Sequence, residues 1–390
     1  MGGVIWTVFR KEARDNARDR RTLLRVFLLG PLLGPVIFAG VMGAVINTAV
    51  GSAEKPLVLP VAGAEGAPNL VAYLRAHNTE IKSAPADPEA AVRSGKADAV
   101  LVVPKGFGKS LGAGEPAEID VVLDAANQAA DKTVRRLKAL LDGYGSRLAS
   151  LRLLARGINP LAIRPLAVVD RDVSTPQARG ASLLGMVPYF CLFAVLMGGF
   201  YLAIDTTAGE RERGSLEPLL GTATSRGALM LGKLGATALF SLISLIIAVI
   251  AFGISVPSLP VEQLGMQVIF GPMQVLWVFV ICLPFVFLGS ALLTVVAAFS
   301  RSFKEAQAWL SVVVIVPVIP LIFTAVHPVH PQAWMMLVPS LSQDLLITAV
   351  MKGAPLNAGF LALSAGSTLI VAAALAAYAT KLYRREALVV

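Results

Sequence analysis

The chain has 390 residues, 56% of them hydrophobic and 15% charged, and a mean hydropathy of +0.71. That exceeds the composition of soluble globular proteins and indicates a multispanning membrane protein. The formal charge of +9 does not argue for nucleic acid, because the Lys and Arg sit beside apolar runs, where membrane topology accounts for them.

The first 22 residues, with "GVIWTVFRKEARDNARDRRT" at 3–22, put Ile5, Phe9, Ala13 and Ala17 on one helical face. Arg10, Lys11, Arg14, Arg18, Arg20 and Arg21 supply the basic character, and Trp6 suits the headgroup level. The pattern predicts an interfacial helix on the cytoplasmic leaflet, against the plainer reading of basic residues that only set topology. The basic region and the apolar run after it are both too long for a cleaved signal peptide, so an uncleaved first span is expected at 23–50. Within it, Gly30 and Gly34 form a small-xxx-small pair, and Pro31 and Pro35 can kink the helix.

Residues 51–181 read as an inserted α/β domain. "PLVLPVAG", "ADAVLVVP" and "AEIDVVLD" are strand-like, "APNLVAYLRAH" and "DPEAAVRSG" are short helices, and Gln128 to Arg156 is a longer amphipathic helix with Leu137, Leu140, Leu141, Leu148 and Leu151 on one side. "GFGKS" at 106–110 resembles the end of a phosphate-binding loop, but Val103 stands where that pattern needs its first glycine, so no nucleotide cradle is expected.

Five more spans follow, at 182–204, 228–254, 272–299, 306–326 and 357–380, each near the length of about 20 residues that crosses a bilayer. Arg211, Arg213 and Arg226, then Arg301 and Lys304, then Lys381, Arg384 and Arg385 all fall on the side of the basic N-terminus. The loop 255–271 has no Lys or Arg, and the external loop 327–356 has only Lys352, which places both termini in the cytoplasm and the inserted domain outside. Cys191 and Cys282 lie in apolar runs, so no disulfide framework is expected. His327 and His330 flank Pro328 and lack a third ligand, and no metal site is expected. Asp205 reads as a span end, with Glu262 and Asp344 in external loops, so intramembrane catalysis has no constellation to work with.

The segment 205–227 is different. Thr207 and Glu210 have capping-box spacing, Gly214 ends the short helix "GERERG", and Leu216, Leu219 and Leu220 around Pro218 offer an apolar knob. A short, charged, kinked segment joined to two spans suits docking by a soluble protein, and also suits a well-capped turn.

"GERERGSLEPLLGTATSRGALMLGK" resembles the signature of type-2 ABC exporter permeases: Gly209, Glu210, Glu212, Arg213, Gly214, Ser215, Leu216, Glu217, Leu219 and Leu220, then Ser225-Arg226 and Gly232-Lys233. The opening "FRKEARDNARDRRTL" is similar to that family's connecting helix. The large outside domain, with "DAANQAADKTVRRLKALLDGY" and "VDRDVSTPQARGASLLGMVPYF", is similar to the bacterial sodium-efflux (NatB-like) subgroup. The resemblance implies a six-helix permease in the bacterial cytoplasmic (inner) membrane, not itself an enzyme, binding no cofactor of its own. It implies two permease copies, as a homodimer, and two cytoplasmic ABC ATPase subunits that bind ATP and Mg. Glu210, Arg211, Glu212, Arg213, Gly214, Ser215, Leu216, Glu217, Pro218, Leu219 and Leu220 would then form the ATPase contact, with Arg10 to Arg21 leaning on it. The solute expected is sodium or a drug-like, amphipathic compound, and Asn47, Thr294, Gln307 and Thr324 are the polar candidates for its path. The alternative keeps the ATPase coupling but moves the outside domain mechanically instead of transporting.

Overall fold

In the computed structural model, residues 2–127, 130–163, 166, 169, 171–216, 218, 221, 224–327 and 329–384 are described. The chain divides into two compact units, residues 1–48 with 173–390, and residues 49–172.

Among the described residues, the larger unit holds six helices long and apolar enough to cross a membrane: span one Val26–Thr48, two Val187–Glu212, three Arg226–Ser258, four Pro272–Phe299, five Phe303–Thr324 and six Ala358–Tyr383. Span two is the central one, packed on spans three and four, while span six packs on span four. Bare backbone lets spans two and three approach closely. A Cβ at Gly198 would stand 2.8 Å from the Phe240 carbonyl oxygen, so only glycine fits there. Gly30 and Gly34 of span one lie against Met197 and Phe190 of span two, and Pro31 sits in a π-helical stretch at Arg25–Leu32.

Among the spans, both ends of span two lie furthest from the sequence reading, each for a physical reason. Span two begins at Val187, because Thr175 caps a separate helix, Pro176–Leu183, by accepting from the Ala178 amide at 3.1 Å. It ends at Glu212 because its polar residues stay satisfied inside the helix. Thr206 and Thr207 each donate their hydroxyl back to the carbonyl four residues earlier, Leu202 and Ala203, through a π-helical turn at Asp205–Gly209. The expected capping box is therefore absent: Thr207 bonds its own helix, and Glu210 turns elsewhere. The segment 327–356 is also more than a loop. It contains a helix, Leu341–Met351, nearly all of whose residues are buried.

The N-terminal helix, Gly2–Arg18, packs its Ile5, Val8 and Phe9 side on span three. Trp6 and Ala17 are exposed, and Trp6 stacks on Phe9 at 5.2 Å.

The smaller unit is a sheet backed by helices. Strands β1 (Leu57–Ala62), β2 (Thr79–Ser83), β3 (Ala99–Val102) and β4 (Asp120–Leu123) lie in the order β2-β1-β3-β4, with only β3–β4 antiparallel. Alternation along β1 buries Leu57, Leu59 and Val61 against Leu70, Leu74, Phe107 and Leu137. Pro60, which has no amide hydrogen to give, falls just before β1 begins to pair with β3 at Val61. The long helix runs Asp131–Ala155; Leu137 is buried but Leu151 is exposed, so the predicted leucine stripe is covered only in its first half.

Candidate coupling site

The Glu210 end of span two is where buried charge collects. Lys233, on span three, is 0% exposed. Its ammonium donates to the Thr206 carbonyl at 2.6 Å and to the Glu210 carboxylate, which is itself 6% exposed. The π-helical turn brings that carbonyl and that carboxylate to one side. The other Glu210 oxygen lies 3.8 Å from Lys11, and Lys11 donates to Glu12 at 3.0 Å. Glu12 is 4% exposed and lies within electrostatic reach of Lys233. The ring of Tyr383, from span six, stands 6.0 Å from the Lys233 ammonium. Two buried carboxylates, one buried ammonium and the half-exposed Lys11 sum to zero charge. Such pairing is what lets ionised groups survive away from water.

Burial pushes the Glu12 carboxyl above its ordinary range, against the pull of Lys11 and Lys233. Desolvation acts to lower the pKa of Lys11, but its bond to Glu12 and the charges of Glu12 and Glu210 prevail and raise it. Gly232 explains why the N-terminal helix can come so close. A Cβ there would meet Val8 Cβ at 2.7 Å and the Ile5 carbonyl oxygen at 3.0 Å. The adjacent pair Gly232-Lys233 thus supplies the contact and the charge.

The rest of the motif ties the turn between spans four and five. Arg211 donates to the Ala298 and Ser300 carbonyls at 3.0 and 2.8 Å, where span four ends with unpaired acceptors. Glu212 accepts from the Phe303 amide at 2.6 Å, where span five begins with unpaired donors. A cation thus meets a helix C-terminus and an anion a helix N-terminus. Arg213 reaches back to Asp205 at 2.8 Å. Gly214, at φ +67°, ends the helix, with the Ser215 amide closing onto the Glu210 carbonyl at 3.0 Å. Leu216 is buried among Met230, Val295, Ala298, Ala379 and Tyr383.

These positions change what the segment can offer a partner. Glu210, Arg211 and Leu216 are committed inward, so their side chains are not a free docking surface. Glu212, Arg213, Gly214, Ser215 and Pro218 are exposed, whereas Glu217, Leu219 and Leu220 lie outside the described residues. Arg10, Lys11, Arg14, Arg18 and Arg20 are exposed, and among them Lys11 joins the network; the Arg21 side chain lies outside the described residues. The four predicted path residues are not gathered together. Asn47 and Gln307 are exposed, Thr294 donates to Ser290 in its own helix at 2.7 Å, and Thr324 sits 2.8 Å from the Asp344 carboxylate. Asp344, a loop residue by the sequence reading, is 6% exposed, and burial pushes its carboxyl up to about 6. Beside it, Gln343 joins Ser342, Ser364 and Thr368 in a buried neutral network.

Lys233 stands out in the sequence as an ionisable residue within an apolar run, which is itself a signal of function. Glu12, hidden among basic neighbours, carries none.

The sequence model of the family described as "ABC-2 family transporter protein" matches residues 25–380. The chain is also similar to the "ABC transporter permease protein NatB" of Bacillus subtilis (strain 168), with 31% identity over 248 residues. That match takes in 61% of this chain and 62% of the relative, so the chain spans less than two thirds of the relative's length.

Proposed function

The chain belongs to the ABC-2 family of transporter proteins, and from that premise we propose that it is the permease subunit of an exporter powered by a separate ATPase. The observation that carries this reading is the network around Lys233, which joins the N-terminal helix to spans two, three and six, while Arg211 and Glu212 hold spans four and five. A push on the N-terminal helix or on the turn after Glu212 therefore reaches spans two to five through polar bonds and ion pairs, and span six through the Tyr383 ring beside Lys233. In this reading, the exposed Arg10, Arg14 and Arg18 and Trp6 lie at the cytoplasmic membrane surface. The turn from Glu212 to Leu220 contacts the ATPase, which binds ATP and Mg. Two copies of each subunit make the working assembly in the bacterial cytoplasmic membrane, and the α/β unit lies outside.

The relative's name says permease and no more, so the solute is proposed on chemistry. Sodium or an amphipathic, drug-like compound is moved outward. The buried Asp344 carboxylate beside Thr324 gives the cation alternative a carboxylate that the apolar runs did not reveal. Mechanical signalling through the α/β unit is the second reading, supported by that unit's own core and its compactness.

Affinity purification in mild detergent tests the coupling. A stoichiometric ATPase should copurify, and replacing Glu217 and Leu219 should release it. Recovery of intact chain without any ATPase removes the motor and the reading with it. Reconstituted with that ATPase, the chain should drive ATP-dependent movement of sodium or a lipophilic cation. Movement of neither rejects the transport reading and leaves the mechanical one.

A further inference from the structure

Tyr383 closes span six, is 1% exposed, and its hydroxyl has no hydrogen-bond partner among the described residues. Arg211 commits both terminal nitrogens to carbonyls, yet its Nε is also buried without a partner. The two groups interact electrostatically with each other, and Tyr383 does so with Glu210 as well. Buried donors without acceptors are rare in folded proteins, and two beside one ion pair call for a physical explanation.

The other side of the network has a matching surplus. Lys233 is bonded to Glu210, but a second buried carboxylate, Glu12 of the N-terminal helix, is also within its electrostatic reach. We infer that the network is a two-position switch in which Lys233 passes from Glu210 to Glu12 while Glu210 passes to the Tyr383 hydroxyl and Arg211 Nε. In the first position Tyr383 and Arg211 wait. In the second, Glu210 fills both, and Glu12 holds the ammonium. No buried charge stands alone in either position, which is what makes an exchange of partners feasible in a site closed to water. The exchange trades the Glu210–Lys233 tie between spans two and three for one from Glu210 to span six, and it adds an ionic tie between the N-terminal helix and span three, which already pack together. Packed helices change in this way between discrete arrangements. The inference rests on the ATPase-driven reading above and names the element whose two positions an ATPase would bias. Tyr383 is a positioning residue in it.

The test is Tyr383→Phe, which keeps the ring over Lys233 and removes only the hydroxyl, in the complex with the copurified ATPase. In the first position the variant loses an unsatisfied group, so its thermal midpoint should rise by about 2–4 °C. The second position loses a bond, so ATP turnover coupled to the permease should fall at least about fivefold with ATPase binding unchanged. Glu12→Gln, which removes the second counter-charge for Lys233, should slow turnover similarly and also leave binding unchanged. Wild-type turnover in Tyr383→Phe, whatever its midpoint, overturns the switch and means the hydroxyl is met by an ordered water or serves packing alone. Failure of the wild-type chain to hold any ATPase overturns the exporter reading itself, a result that these variants cannot imitate.

Discussion

The larger unit contains two buried polar clusters of opposite design. Around Gln343, an amide and the hydroxyls of Ser342, Ser364 and Thr368 bond one another, and the amide oxygen also accepts from the Ser340 amide at 2.6 Å. Around Lys233 the groups are mostly ionisable, come from four separate elements, and leave Tyr383 and Arg211 with donors to spare. A neutral network with its bonds made fixes one packing. An ionic one that can trade equal partners has more than one low-energy arrangement. The first suits a joint that stays closed, between the Leu341–Met351 helix and span six, and the second suits a joint that moves.

The contrast is tested most severely at Lys233. Lys233→Met leaves Glu210 and Glu12 without their buried cation and should cost about 3–5 kcal/mol, read as loss of folded protein in detergent. Adding Glu210→Gln should restore much of it, since the charge needing a partner is then gone. Strict additivity of the two changes breaks the idea of a coupled ionic network.

Asp344 borders the neutral cluster and tests it by pH. Its folded carboxyl titrates at about 6, against 3.8 for the ordinary aspartate side chain. A raised pKa means that the folded state binds the proton more tightly, so stability is fully present at low pH and is lost as pH rises through about 4 to 6. The amount is about 3 kcal/mol at most, because each tenfold gain in proton affinity is worth about 1.36 kcal/mol. Thermal midpoints across that window should fall in the wild type and stay level in Asp344→Asn. A wild-type midpoint level from pH 4 to pH 7 disposes of the raised carboxyl.

Gln343→Leu strips the neutral cluster of its hub and should cost about 1–3 kcal/mol, by leaving hydroxyls unpaired. ATPase coupling should survive it, whereas changes around Lys233 should not spare coupling. The smallest effect belongs to an exposed control, Arg93→Ala. It removes a surface pair with Glu89 at 3.3 Å and should change stability by no more than about 0.5 kcal/mol. A loss there rivalling that of Lys233→Met would mean burial is not what makes the ionic network costly to break.

Much of the fold is legible in the sequence, and the exceptions are local. The apolar runs announce all six spans, because crossing a bilayer demands length and composition that no loop mimics. Three strands are legible from their Val and Leu content, while β2, "TEIKS", is not. It is short and half polar, and its identity as a strand comes from pairing with β1. The Leu341–Met351 helix is hidden because eleven residues holding Ser, Gln and Asp lack the apolar length of a span. At the site, Gly214 is legible as a helix end, where a left-handed turn needs glycine. Thr207 and Glu210 look like partners because capping is inferred from spacing, and spacing cannot see Lys233 in the next span.

By itself, then, the sequence determined what depends on local chemistry: the membrane class, the spans, most of the α/β unit's elements, and a charged motif worth explaining. Tertiary structure alone decided where that motif's charges go. Glu12, Glu210, Lys233 and Tyr383 are far apart in the chain and meet only after four elements have packed. A buried charge takes its partner from whatever packing brings near, and that partner is set by contact in space.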